Sequence, residues 1–282
     1  MKKWICALTV LLLGGCSSQF VYNNMDWMIH WYLDDYIDLQ RSQKKIFDEK
    51  FEVWHNWHRQ EELTKYAAHL KEIRHDIASG SISEESIKTH FDRIREHWVS
   101  LRNRVAPDLV PLSKLLTQEQ VSELFDAIEK ENIEREEKIT EFDASSDEEK
   151  SKERVSGLKD NIKEWLGKLT PEQDQIIVDM APEFYSTSKH WLQYRRRVQQ
   201  VARDIFEQKD TDPEFENKVL KVMSEPENYR HPELVKRNDA NQKLYAQLVI
   251  RLYEVMTDKQ KKRVLGKIDD YIEDFEELSE DD

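Results

Sequence analysis

The chain has 282 residues, with 43 Lys and Arg against 57 Asp and Glu, a net charge of −14, two cysteines, six glycines and seven prolines. That composition excludes collagen-like and low-complexity chains, which need far more Gly and Pro, and disulfide-stapled folds, which need more Cys. The acidic balance argues against a phosphate-binding surface, and ten Phe, ten Tyr and eight Trp are ample material for a packed core.

Lys2 and Lys3 give a basic start, and Trp4 to Leu13 is an uncharged run. Such a run is too short to cross a hydrocarbon core of about 30 Å and has the form of a secretory signal peptide. Leu13, Gly14, Gly15 and Cys16 follow, then Ser17 and Ser18. This resembles the bacterial lipobox, which implies cleavage before Cys16, a diacylglyceryl group on its sulfur and further acylation of the new N-terminus. Several acyl chains, at about 0.8 kcal/mol per buried methylene, anchor stably. In the Gram-negative sorting rule, Ser17 in place of Asp implies the outer membrane. The expectation is a signal peptide at 1–15, a lipidated terminus at 16–19 and a body facing the periplasm. Removing residues 1–15 leaves 267 residues with 41 basic against 57 acidic groups, a charge of −16, and no thiol but that of Cys16. Cysteine catalysis, thiolate metal sites and disulfides drop out.

The densest cluster comes next. Trp27 and Trp31 lie one helical turn apart, as do Tyr32 and Tyr36, and Asp34, Asp35 and Asp38 share the stretch. Paired carboxylates can do acid–base work or hold a hard cation. They can equally cap aromatic packing or meet arginines such as Arg195, Arg196 and Arg197. Packing ranks first, partner or ligand binding second and catalysis last; aromatic rings near an anchor can also rest at a lipid interface. The blocks Tyr22 to Trp27 and Trp31 to Leu39 resemble the opening of a family of uncharacterised proteobacterial lipoproteins, and the likeness extends over nearly the whole mature chain. That family brings no function with it.

His55 and His58 at a three-residue spacing can share one metal, and His69, His75, His90 and His97 follow in the same region. With no His-Glu-x-x-His arrangement, exposed helix histidines are the first reading, and neither a metal nor a cofactor is expected. Leu63, Tyr66, Leu70, Ile73 and Ile77 form one stripe at helical spacing; Ile87, Phe91, Ile94, Trp98, Leu101 and Val105 form another. Across Ser79-Gly80-Ser81 they predict an antiparallel helical hairpin. Ser83 and Ser86 make no capping box by sequence, although Glu84 and Glu85 suit a first turn.

Further helices are expected over 118–142, 147–167, 171–180, 183–208, 213–223, 233–255 and 258–278, with Thr211-Asp212-Pro213 starting one of them. The last ten residues hold seven acids and predict a frayed tail, with 279–282 as its end. With strand signals absent, the expected fold is all-α: an elongated multi-helix bundle of antiparallel hairpins, with lobes at 20–106 and 107–278.

Three pentapeptides repeat: Leu116 to Gln120, Leu169 to Gln173 and Met256 to Gln260. In each, Thr117, Thr170 or Thr257 is placed to cap a helix, and Gln120, Gln173 or Gln260 to reach back to the cap's own N–H, at about 1 kcal/mol per cap. Leu39 to Gln43 keeps only the ends of the pattern and reads as a remnant. Independent helix starts explain the motif structurally. It also resembles the Leu-Thr-x-x-Gln signature of the Spy/CpxP group of periplasmic proteins, whose members include ATP-independent chaperones. That likeness implies a non-enzymatic, chaperone-like or client-binding role; the alternative is a structural partner of an envelope complex docking through the aromatic–Asp block. Arg195–Arg197 reads as internal salt-bridge partners or a docking patch, and no nucleic-acid partner is expected. No phosphate loop or nucleophile elbow is present, so an enzyme is not expected.

Overall fold

The computed structural model describes residues 16–280 and is all-helical there, as the periodicity predicts. The signal peptide expected at 1–15 lies outside the described residues, and Cys16 opens the first helix. In chain order the helices are α1 (Cys16–Asn23), α2 (Met25–Leu33), α3 (Arg41–Trp57), α4 (Leu63–Ser79), α5 (Glu84–Lys114), α6 (Gln118–Ala144), α7 (Asp147–Leu166), α8 (Pro171–Met180), α9 (Ser188–Glu207), α10 (Phe215–Ser224), α11 (Pro232–Glu254) and α12 (Asp258–Glu280). No described helix is long and apolar enough to cross a membrane.

Side-chain caps set many of the boundaries. Thr117, Ser146 and Thr170 each accept from the backbone N–H three residues on, with the third residue's side chain reaching back. Ser83 does the same: Ser86 N–H donates to its Oγ at 3.1 Å while its own N–H donates to Ser86 Oγ at 3.0 Å. A serine hydroxyl thus replaces the usual Glu or Gln, which corrects the sequence reading. Gly80 closes α4 at φ +80, where a Cβ would be strained. Helix α9 starts at 188 rather than 183, because Asn241 holds both the N–H and the carbonyl of Tyr185, each at 2.9 Å, and so fixes that stretch outside the helix. Helix α10 starts at Phe215 because Asp212 accepts the Glu214 N–H at 2.9 Å and holds the preceding turn.

Helices α3 and α4 are continuous through a single π turn at His58–Glu62. The π turn carries one extra residue and rotates Glu62 inward, where it is fully buried. The hairpin of α4 and α5 forms, but its expected apolar seam does not. Leu70, Ile73 and Ile77 pack instead against the cluster containing Val264, Ile268 and Ile272 of α12. Helix α5 runs unbroken through residue 106 to Lys114 with Pro107 and Pro111 inside it.

Two large apolar clusters and a smaller third form the core. One joins α7, α8, α11 and α12 around Ile177, Met180, Leu248 and Ile268. The other joins α5, α6, α9 and α10 around Val110, Phe125, Phe206 and Phe215. The acidic C-terminus is not a frayed tail up to Glu280. Leu278 is buried against Tyr22 and Leu63, and Arg59 donates to its carbonyl at 3.1 Å, so apolar contacts from α1 and α4 hold the last turns helical despite their charge.

Candidate functional site

The pentapeptide glutamines are more than caps. Each Oε1 accepts its own cap residue's N–H, at 2.9 Å for Thr117, 3.0 Å for Thr170 and 3.1 Å for Thr257. Gln43 does the same for Gln40 at 2.8 Å, and it is buried. The fourth copy is therefore no remnant: Gln43 keeps its role although Gln40 has replaced the capping Thr. The amides then meet in pairs. Gln43 and Gln120 donate to each other at 2.9 and 2.8 Å. Gln173 and Gln260 do so at 2.9 Å in both directions. Each also donates to the carbonyl five residues before its partner: Leu115, Asp38, Val255 and Lys168 respectively. Two copies of one device, each tying two helix starts head to head, organise the molecule.

The space beneath the two amide pairs differs. Under Gln173 and Gln260, the residues one turn on, Ile177 and Val264, are buried in a filled core with Leu169. Under Gln43 and Gln120, the equivalent Phe47 and Leu124, with Leu39 and Leu116, line a cavity of about 300 Å³. Leu33 and Ile37 of the aromatic–Asp block form part of its wall, opposite Ala202 and Phe206 of α9 and Val222 of α10. Apart from Gln43 and Ser113, the lining side chains are apolar. An apolar cavity of this size holds no good site for water and favours apolar occupants.

The polar members of the block face outward. Trp27 is 55% exposed; Trp31 and Tyr32 are exposed as well. Asp34, Asp35 and Asp38 are exposed. Helix α2 ends at Leu33, so Asp34 and Asp38 do not share a helical face as paired carboxylates would require. The block meets the arginine run through Tyr36. Its hydroxyl donates to Glu131, which also accepts from Arg195 at 3.2 Å, and Tyr32 donates to Tyr36 at 3.2 Å. Burial and the Glu131 carboxylate hold the Tyr36 hydroxyl far above the usual phenol range. Arg196 pairs with Glu129 at 2.8 Å and Glu136 at 2.9 Å, and its guanidinium is pushed further into the charged form by those bonds. Arg195 and Arg196 are thus internal ties between α6 and α9, while Arg197 is exposed. Tyr36→Phe should lower stability by about 1 kcal/mol, read by urea denaturation, because Glu131 keeps Arg195.

Of the histidines expected as exposed helix residues, His75 is exposed, whereas His69, His90 and His97 fill the α4–α5 seam. His69 is only 4% exposed. Its Nδ1 lies 3.2 Å from His97 Nε2, its Nε2 lies 3.1 Å from His90 Nδ1, and His90 Nε2 lies 3.1 Å from Asp76. The seven-residue step from His90 to His97, two turns on one face opposite His69, was the signal for this. Burial, then His90 and His97, push the His69 imidazole down to about 4, with Arg93 adding to the shift and Glu72 opposing it. His55, His58 and His97 shift the same way, chiefly through burial. The unfolded chain therefore binds more protons between pH 4 and 6.5. Stability is complete above about pH 6.5 and falls as pH drops toward 4, by about 1–2 kcal/mol at pH 5 for His69 after allowance for screening. Urea midpoints across that range check this, and His69→Phe should flatten the slope.

No curated protein and no solved structure matches the chain. A family model described as a family of unknown function, DUF6279, matches residues 35–234, so it begins inside the aromatic–Asp block and takes in most of the cavity wall. The chain belongs to that family.

Proposed function

We propose that the protein is a lipid-anchored, periplasm-facing outer-membrane lipoprotein with a non-enzymatic, client-binding role, and that the cavity beneath Gln43 and Gln120 receives apolar side chains of partly unfolded polypeptides. The observation that carries this reading is the contrast between the two amide pairs: one device, one filled core and one open apolar cavity. A cavity of that size forfeits packing energy, and the filled site is an internal standard for what the same arrangement achieves when closed. Exposed apolar residues support it. Ile94 and Trp98, one turn apart on α5, are 54% and 63% exposed, so the stripe expected to be hairpin core is in part surface. The net charge would keep a client complex soluble.

The leader and Cys16 support the anchor. Cys16→Ala should abolish palmitate incorporation in growing cells; unchanged labelling would remove the lipid assignment. For the binding role, the purified protein should suppress light scattering by an aggregating client at a few-fold excess, and unchanged scattering counts against it. A second reading, docking to one envelope partner through the aromatic–Asp block, rests on the exposure of Trp27, Trp31 and Tyr32.

A further inference from the structure

The α4–α5 seam opens on a cleft whose lining includes Glu62, His69 and His97. His69 Nδ1 and His97 Nε2 stand 3.2 Å apart. Two nitrogens on one tetrahedral zinc, each about 2.0–2.1 Å from it, lie about 3.3 Å from one another. The pair is spaced as metal ligands with almost no movement. Glu62 is fully buried: its Oε1 takes Lys65 at 2.7 Å and Ser100 at 2.9 Å, while its Oε2 is buried without a partner. A bare carboxylate oxygen in the interior is costly, and a cation is what relieves it.

A supporting layer stands behind the pair. With Nδ1 of His69 turned to the cleft, Nε2–H can donate to His90 Nδ1, and His90 Nε2–H to the Asp76 carboxylate, over the 3.1 Å contacts already described. Outer hydrogen bonds of this kind fix the tautomer and orientation of a ligating histidine. The charged groups bordering the cleft are Glu62, Glu72 and Glu96 against Lys65 and Arg93, which leaves it one negative charge in excess.

We propose that His69, His97 and Glu62 form a binding site for a late first-row divalent cation, with zinc as its representative. His69 Nδ1 and His97 Nε2 supply two ligands; the Glu62 carboxylate supplies the third by turning Oε2 toward them, and water the fourth. Among the described residues no three donors already meet at one point, so this turn of Glu62 is part of binding. In the metal-free contact the single ring proton of neutral His97 lies on Nε2 and is donated to His69 Nδ1; on binding it moves to His97 Nδ1 by exchange with water, which leaves both facing nitrogens free for the cation. Imidazole with carboxylate suits zinc or copper better than magnesium or calcium, which prefer oxygen shells. The site lies away from the apolar cavity and does not depend on the client-binding reading.

The test uses the purified full chain in detergent, stripped with a chelator and titrated with zinc chloride in excess magnesium, which occupies surface carboxylates. One zinc should bind at micromolar concentration, and cobalt in its place should give the visible absorption of a tetrahedral centre. His97→Gln should weaken zinc at least tenfold and abolish the cobalt spectrum; Glu62→Gln should weaken it several-fold. His75→Gln, at an exposed position on the helix that carries His69, should leave both unchanged. Should His97→Gln fail to fold by circular dichroism, Glu62→Gln and the cobalt spectrum of the parent decide. Binding no tighter than in His97→Gln, an octahedral cobalt spectrum, or equal loss in His75→Gln would overturn the proposal.

Discussion

Gln173→Ala should destabilise the protein by about 3 kcal/mol, one of the largest single-residue effects outside the apolar core. Gln173 is fully buried and its amide uses both ends: Oε1 accepts from Thr170 N–H and Gln260 Nε2, and Nε2 donates to Val255 O and Gln260 Oε1. Removing it strands the Val255 carbonyl, the Thr170 N–H and half of the Gln260 amide in a water-poor interior, and each stranded group costs about 1–3 kcal/mol in part offset by relaxation. Gln260→Ala should cost a similar amount, and the double variant at least 1 kcal/mol less than the sum, because the second change removes groups the first had already stranded. Urea denaturation of the four proteins checks this. Additive effects would mean that the glutamines act as separate caps.

Ala202→Phe should reduce client protection at least five-fold while leaving stability unchanged or raising it by about 1 kcal/mol. Ala202 lines the cavity from α9, and a ring placed there occupies cavity volume among apolar side chains. The opposite signs matter. A substitution that merely damages the fold lowers stability and protection together, whereas filling a site kept open for a ligand separates them. Light-scattering protection and a thermal melt on the same preparation read both.

Helix class, most boundaries and the pentapeptide caps were legible in the sequence because they rest on local rules: 3.6-residue periodicity and a side chain three residues from its backbone partner. The pairing of the glutamines was not. It joins residues 77 and 87 positions apart, and no local spacing carries that information. Nor could periodicity say which neighbour a stripe would meet. Leu70, Ile73 and Ile77 looked like hairpin core and found α12, which left the seam to His69, His90 and His97. The aromatic–Asp block was conspicuous by its Trp, Tyr and Asp, yet Leu33, Ile37 and Leu39, its plainest members, are the ones that line the cavity. Composition draws the eye to polar and aromatic residues, while a cavity is made by the apolar ones between them.

The most direct measurement is site-specific photo-cross-linking in growing cells from position 112, where Leu112 lines the cavity, beside the same probe at position 31 on the exposed face of the block. A client-binding cavity gives many cross-linked polypeptides from position 112, and Ala202→Phe removes them. No products from position 112, or one dominant product from position 31 that Ala202→Phe leaves intact, would contradict it.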